Sequence, residues 1–307
     1  MNNLNNFKKV LKYIPNELSE ILMHTSSADA EQINEIRLRA GRPLSVSIRG
    51  RNYFITERGS ITEHISLAVK CTKHHIDEAF KMVCDYSIHS FEKEIAKGFI
   101  TIEGGNRVGI SGTASGEQDN VKSINGLNYR IAGQAVMAGE SLYHQFFELM
   151  PVSMLLVGEP LSGKTTLLKS LCYFLGRRYR VSIVDERSEI AACYMGIPQN
   201  DVGVFTDVFD RFNKAAGIET AVRVMSPQII VCDEIGGSEE TVPLLSALNT
   251  GVRLLASVHG KSFEEVMKRP QIKALIDNGA FEYGVLLSDS RQPGQVLEIR
   301  RFGRMLK

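Results

Sequence analysis

The sequence predicts an α/β protein in two parts: a mostly parallel sheet flanked by helices in the carboxyl-terminal half, and an α+β domain before it. Three observations carry that expectation. The apolar run Met154-Leu155-Leu156-Val157 breaks into Gly158-Glu159-Pro160-Leu161-Ser162-Gly163-Lys164-Thr165-Thr166 and continues at helical spacing through Leu167, Leu168 and Leu171. Further apolar stretches at 180–184, 228–232 and 253–258 each end in an ionisable residue, as strands buried on both faces of a parallel sheet do. Upstream of residue 140 the pattern is instead short helices and alternating strands.

With 307 residues and 43% hydrophobic content the chain has material for two cores, placed here at 1–140 and 141–307. A net charge of +1 gives no electrostatic case for direct nucleic-acid binding, and Arg177-Arg178 and Arg300-Arg301 read as solvated surface. The five cysteines, Cys71, Cys84, Cys172, Cys193 and Cys232, have neither paired nor metal-ligand spacing, so a reduced compartment is expected. No apolar run approaches the roughly 20 residues needed to span a bilayer. The opening Met1-Asn2-Asn3-Leu4-Asn5-Asn6 has no signal-peptide blocks. The expected location is cytoplasmic, with any membrane association made through partners.

Along the first part, apolar residues from Leu4 to Leu22 recur at three-and-four spacing and are divided by Pro15, predicting two short helices. Residues 33–39 and 44–48 alternate on either side of Ala40-Gly41-Arg42-Pro43, predicting a hairpin. Residues 76–83 and 91–96 read as helices. Gly98–Ile102 and Asn106–Gly112 read as strands joined at Glu103-Gly104-Gly105, and alternation resumes at Tyr129-Arg130-Ile131. The polar loop 116–120 is therefore not a domain boundary, which is set at 135–145, before a helix implied by Phe146, Phe147, Leu149 and Met150.

The loop from Gly158 to Thr165 matches G-x-x-x-x-G-K-[ST]. Its glycines allow backbone N–H groups to converge on phosphate oxygens, Lys164 would sit on the β/γ phosphates, and Thr165 on Mg²⁺. The following helix turns the positive end of its dipole toward the same anion. Asp233-Glu234, after a buried strand, supplies a partner: Asp233 for the Mg²⁺ shell and Glu234 to orient or deprotonate water. Asp185-Glu186 is a second acidic strand end and an alternative source of base. His259, at the end of a third strand, is a candidate γ-phosphate contact. Phosphoryl transfer also calls for positive charge at the transferred group, with Arg107, Arg130 and Arg223 as candidates for supply from a neighbouring subunit.

The phosphate loop, Asp185-Glu186, Asp233-Glu234 and His259, in that order, resemble the secretion and type IV pilus ATPase superfamily. Residues 227–235 and 248–259 resemble its stretch from second acidic motif to histidine box, and residues 36–44 with Ser90-Phe91 and Asn106-Arg107-Val108 its small amino-terminal sheet domain. Residues 35–44, 158–160 and 184–189 are most similar to a branch acting in endospore development. The resemblance implies a RecA-like core and an ATPase using ATP and Mg²⁺. It further implies a self-assembled ring, a hexamer, at the inner face of a membrane, working with integral membrane proteins of a secretion-like channel. Asp233-Glu234 replaces the Gly-Glu usual in that superfamily and Asp185-Glu186-Arg187 replaces Glu-Asp-Pro, so either Asp185 or Glu186 remains a candidate. The alternatives are an ATP-binding assembly scaffold with little hydrolysis and a nucleic-acid translocase of related core.

Overall fold

Where the sequence alternates the chain builds antiparallel sheet, and where it is continuously apolar it builds parallel sheet, each in its own unit. The structure is a computed structural model that describes residues 3–115, 120–133 and 137–303. The chain divides into two compact units, Met1–Gln134 and Ala135–Lys307.

The first unit begins with helices α1 (Asn3–Leu11), α2 (Asn16–Met23) and α3 (Ser27–Ala30). Pro15 separates the first two, where its ring would break a continuous helix. Then follow β1 (Ile33–Arg39), β2 (Ser45–Ile48), β3 (Arg51–Ile55), β4 (Ile61–Thr62), helices α4 (Lys73–Val83) and α5 (Glu92–Ala96), and strands β5 (Phe99–Ile102), β6 (Asn106–Ser115) and β7 (Asn120–Arg130). The seven strands form one antiparallel sheet in the order β4-β3-β2-β1-β7-β6-β5. Helix α4 packs across β1 and β7, covering the face that holds Ile36, Leu38 and Tyr129, all with no exposed surface. The Tyr129 hydroxyl, buried with them, donates to the Tyr13 carbonyl at 2.8 Å. The alternate residues of β1, including Arg37 and Arg39, therefore belong to the opposite face. Residues 116–119 of the polar loop lie outside the described residues.

The second unit runs α6 (Glu140–Phe146), β8 (Met154–Gly158), α7 (Lys164–Leu175), β9 (Val181–Asp185), β10 (Thr206–Asp210), α8 (Lys214–Met225), β11 (Ile229–Cys232), α9 (Ser238–Asn249), β12 (Arg253–His259), α10 (Phe263–Met267), α11 (Pro270–Asp277), β13 (Tyr283–Leu287) and β14 (Val296–Arg301). Its sheet has the order β10-β9-β11-β12-β8-β13-β14, parallel except for β14. Along β8, Met154 and Leu156 pack with Leu167, Leu168 and Leu171 of α7. Leu155 and Val157 pack with Ile218 of α8 and Leu244 of α9 on the other side. Both faces being covered is what makes the strand apolar without alternation, and each such side chain contributes about 1.5–3 kcal/mol on burial.

The helix expected from Phe146 to Met150 lies earlier. It ends at Phe146, Phe147 caps it and is buried, and Leu149 is 92% exposed in the turn before Pro151. Proline disfavours helical backbone in the residue that precedes it, which keeps Met150 out of a helix. Arg177 and Arg300 are less free than the sequence suggests: Arg177 lies over the Tyr173 ring and pairs with Asp201, and Arg300 lies over Phe263 and pairs with Glu264 and Glu298. Among the described residues no helix is long and apolar enough to cross a membrane.

Candidate nucleotide site

Because β8, β12, β11 and β9 are parallel neighbours, their carboxyl ends share one edge of the sheet. That edge gathers Gly158, His259, the Asp233-Glu234 pair that follows β11, and Asp185-Glu186. Open α/β sheets bind ligands at this edge.

The loop after β8 turns at Leu161, with φ +64°, and at Gly163, with φ +93°. A Cβ on Gly163 would stand 2.7 Å from the Gly294 backbone nitrogen, and one on Gly158 would stand 2.4 Å from Ser162 Oγ. Both positions therefore require glycine, one for its backbone angle as well as for space. The Gly294 N–H donates to the Ser162 carbonyl at 2.8 Å, so the β13–β14 turn holds the loop from outside. Lys164 is buried, and its ammonium closes the loop on itself, donating to the carbonyls of Gly158 at 2.7 Å and Glu159 at 2.8 Å. Burial holds Lys164 below the ordinary lysine range, while the negative charges of Glu234 and Glu159 pull the other way. Neutral carbonyls are weaker partners for an ammonium than phosphate oxygens. Ser162 is fully buried with an unpartnered hydroxyl, Thr165 is half-buried, and Pro160 and Thr166 are exposed. The Glu159 carboxylate lies 3.5 Å from Lys261 Nζ.

The two acidic strand ends behave differently. Asp185 is buried, and its two oxygens accept the Glu189 N–H at 2.7 Å and the Ala191 N–H at 2.8 Å. Its geometry is that of a staple for the loop after β9. Glu186 is more exposed and comes within 3.7 Å of Lys214 Nζ. Asp233 is only 2% exposed and its Oδ1 has no hydrogen-bond partner. Burial first, and then the nearby charge of Asp185, push its carboxyl from 3.8 up to about 6. An orphaned buried carboxylate oxygen at the same edge as a threonine hydroxyl fits a hard, oxygen-seeking cation such as Mg²⁺, whose remaining ligands come from phosphates and water. No cluster of three or more His, Cys, Asp or Glu able to hold a metal by itself occurs among the described residues.

Glu234 has φ +36°, uncommon for a residue with a side chain and of order 1–3 kcal/mol in strain. Its N–H donates to Ser257 Oγ at 2.9 Å, its carbonyl accepts from Lys214 Nζ at 2.8 Å, and its carboxylate pairs with Arg187 at 2.6 Å. His259 is aligned with Gly158 across β12 and β8, and its Nδ1 lies 3.3 Å from the Gly158 carbonyl. A carbonyl only accepts, so that contact places the ring proton on Nδ1 and leaves Nε2 as acceptor in the neutral ring.

In the amino-terminal unit Arg107 and Arg130 are cross-strand partners on β6 and β7, which puts them side by side on one face of that sheet. Arg107 stacks 4.8 Å over the Phe99 ring, and Arg130 comes within 3.9 Å of Glu35. Arg223 is exposed in the last turn of α8.

A family model described as "Sporulation stage III, protein AA" matches residues 5–304. The chain belongs to this sporulation family. A relative, stage III sporulation protein AA of Bacillus subtilis (strain 168), is 34% identical over 301 residues, covering 95% of this chain and 94% of its own. An uncharacterised protein, ycf45 of Porphyra purpurea, is 32% identical over 193 residues, 61% of this chain and 33% of its own. Among solved structures, the ATPase DotB of Legionella pneumophila superposes with TM-score 0.57 at 13% identity, covering 88% of this chain and 75% of its own. The pilus retraction motor PilT, solved with bound ADP, gives TM-score 0.54 at 12% identity, covering 83% of this chain and 74% of its own. At such identities the likeness concerns the fold, a RecA-like core with an amino-terminal α+β domain.

Four residues at this family member's site escape a sequence reading: Arg187, Lys214, Ser257 and Gly294. Lys214 left one signal. It opens α8, where a cation runs against the helix dipole and calls for compensating anions. Ser257 and Gly294 act through a hydroxyl and a backbone N–H, which no motif announces.

Proposed function

We propose that this chain is an ATPase of the secretion and pilus type that hydrolyses ATP to power or assemble a membrane-embedded channel during endospore development. The observation that carries it is the unpartnered buried Asp233 oxygen, set on the same sheet edge as a glycine-bounded phosphate loop with a buried lysine. Backbone N–H groups of residues 158–166, Pro160 excepted because it has none, and the Lys164 ammonium would bind the β- and γ-phosphates. Thr165 and Asp233 would hold Mg²⁺, which supplies charge neutralisation at the phosphates. Glu234 would take the proton of an attacking water as its oxygen bonds to the γ-phosphorus and the bridging P–O bond breaks, releasing ADP and phosphate. Of the other acidic pair, Glu186 would be the alternative base rather than Asp185, both of whose oxygens accept backbone N–H groups. His259, on the Gly158 carbonyl, would report γ-phosphate occupancy to β12. Arg107 or Arg130 would come from the neighbouring protomer of a ring, a hexamer, whose partners are integral membrane proteins of the channel.

One observation favours the second reading, an ATP-binding scaffold with slow turnover. The Glu234 carboxylate is engaged by Arg187 at 2.6 Å and is free to act only once that pair opens. Phosphate release measured with the purified chain, alone and with sporulation membranes, separates the two. Turnover raised by membranes supports the motor, and tight nucleotide binding with no turnover in either condition supports the scaffold.

A further inference from the structure

Lys214 stands outside the phosphate loop and both acidic pairs, yet it is a buried cation that reaches one residue of each pair, Glu186 and Glu234. It is 4% exposed at the start of α8, held there by Asn213, whose side chain accepts the Ala216 N–H. Its ammonium donates to the Glu234 carbonyl at 2.8 Å and lies 3.2 Å from Glu240 and 3.7 Å from Glu186. Glu240 in turn accepts the N–H groups of Gly236 at 2.9 Å and Gly237 at 3.3 Å. One side chain thus ties the loop after β9, the backbone after β11 and the start of α9. Burial works against the Lys214 charge, but the surrounding acidic groups outweigh it and the ammonium holds its proton above the ordinary lysine range.

We infer that Lys214 is the positioning residue of this site: it holds Glu234 in its left-handed backbone conformation and so aims the Glu234 carboxylate toward the phosphate loop. Three contacts fix that residue, from Arg187, Lys214 and Ser257. The Arg187 pair is largely exposed, 59% and 43%, and such pairs contribute little. The Lys214 contact is part-buried, comes from a side chain that is itself buried, is charge-assisted and is made to the main chain, where it sets the direction of everything the residue carries. Without it, the carbonyl of Glu234 loses its buried donor and Glu240 its counter-charge, and φ +36° is left to the Ser257 contacts. A peptide rotation to ordinary backbone angles then swings the carboxylate away. Among the described residues no hydrogen bond or ion pair joins Lys214 to the phosphate loop, so nucleotide affinity is not expected to follow.

The inference rests on the ATPase reading for its consequence but not for its geometry, and two measurements keep them apart. Amide hydrogen exchange in the nucleotide-free full chain should be at least about tenfold faster at residues 234–237 in Lys214→Met and near wild type in Lys214→Arg. Unchanged protection in Lys214→Met overturns the inference whether or not the protein hydrolyses ATP. In turnover assays, Lys214→Met should lower kcat by about a hundredfold while KM and the affinity for a fluorescent ATP analogue stay within about threefold, with partial rescue by Lys214→Arg. On a Glu234→Gln background the same substitution should add less than about threefold, because both act through one carboxylate. Full additivity, or joint loss of kcat and nucleotide affinity without rescue by arginine, would assign Lys214 a general structural role instead. Wild-type protein without Lys164-dependent turnover would count against the ATPase reading alone.

Discussion

A carboxyl group that is 2% exposed, with one oxygen unpartnered, destabilises the fold whenever it is charged. For Asp233 the shift from 3.8 to about 6 corresponds to about 3 kcal/mol. Its sign follows from proton counting. Between those values the folded chain holds a proton that the unfolded chain has released, so this group's contribution falls as pH rises and the penalty is complete above pH 6. Asp233→Asn should therefore stabilise the nucleotide-free chain by up to about 3 kcal/mol at pH 8 and by roughly half of that at pH 5. Urea unfolding at the two pH values reads the difference, and a variant no more stable than wild type at pH 8 would contradict it. Asp233 and Glu234 were legible because they follow a buried apolar strand. Lys214 was not, because its task depends on contacts with residues 20 and more positions away, which only the folded chain brings together.

At the scale of the element, the phosphate loop is held by its own lysine and by the backbone of the β13–β14 turn. Gly163→Ala would force a methyl group against the Gly294 nitrogen and keep φ at +93°. We expect at least a tenfold loss of nucleotide affinity and about 1–2 kcal/mol of stability, read by equilibrium binding and thermal unfolding. Binding equal to wild type would mean that the loop tolerates another backbone path. The strand and helix that flank this loop were readable from periodicity alone, as was the hairpin of β1 and β2. Strand β10 was not: it is an edge strand whose Thr206-Asp207-Val208-Phe209-Asp210 mixes polar and apolar residues because one side meets water. The end of α6 was misplaced because Leu149 and Met150 look like core by composition, whereas both are exposed and Pro151 keeps Met150 out of a helix.

At the scale of the whole molecule, the proposed ATPase reading divides its chemistry between the two units, with the candidate base and phosphate contacts in one and the cross-strand neighbours Arg107 and Arg130 in the other. If those arginines serve a neighbour, two inactive variants should complement. Mixing Lys164→Ala with the double variant Arg107→Ala/Arg130→Ala should restore turnover that neither shows alone, with the rate falling on dilution. A mixture as inactive as its components would place the arginines elsewhere in the reaction. The most direct measurement is steady-state phosphate release from ATP by the purified chain and by Lys164→Ala, with folding of the variant verified by thermal unfolding. Turnover by the wild type that the variant lacks is the expected result. Equal turnover by a folded Lys164→Ala protein would contradict the site on which the proposed function rests.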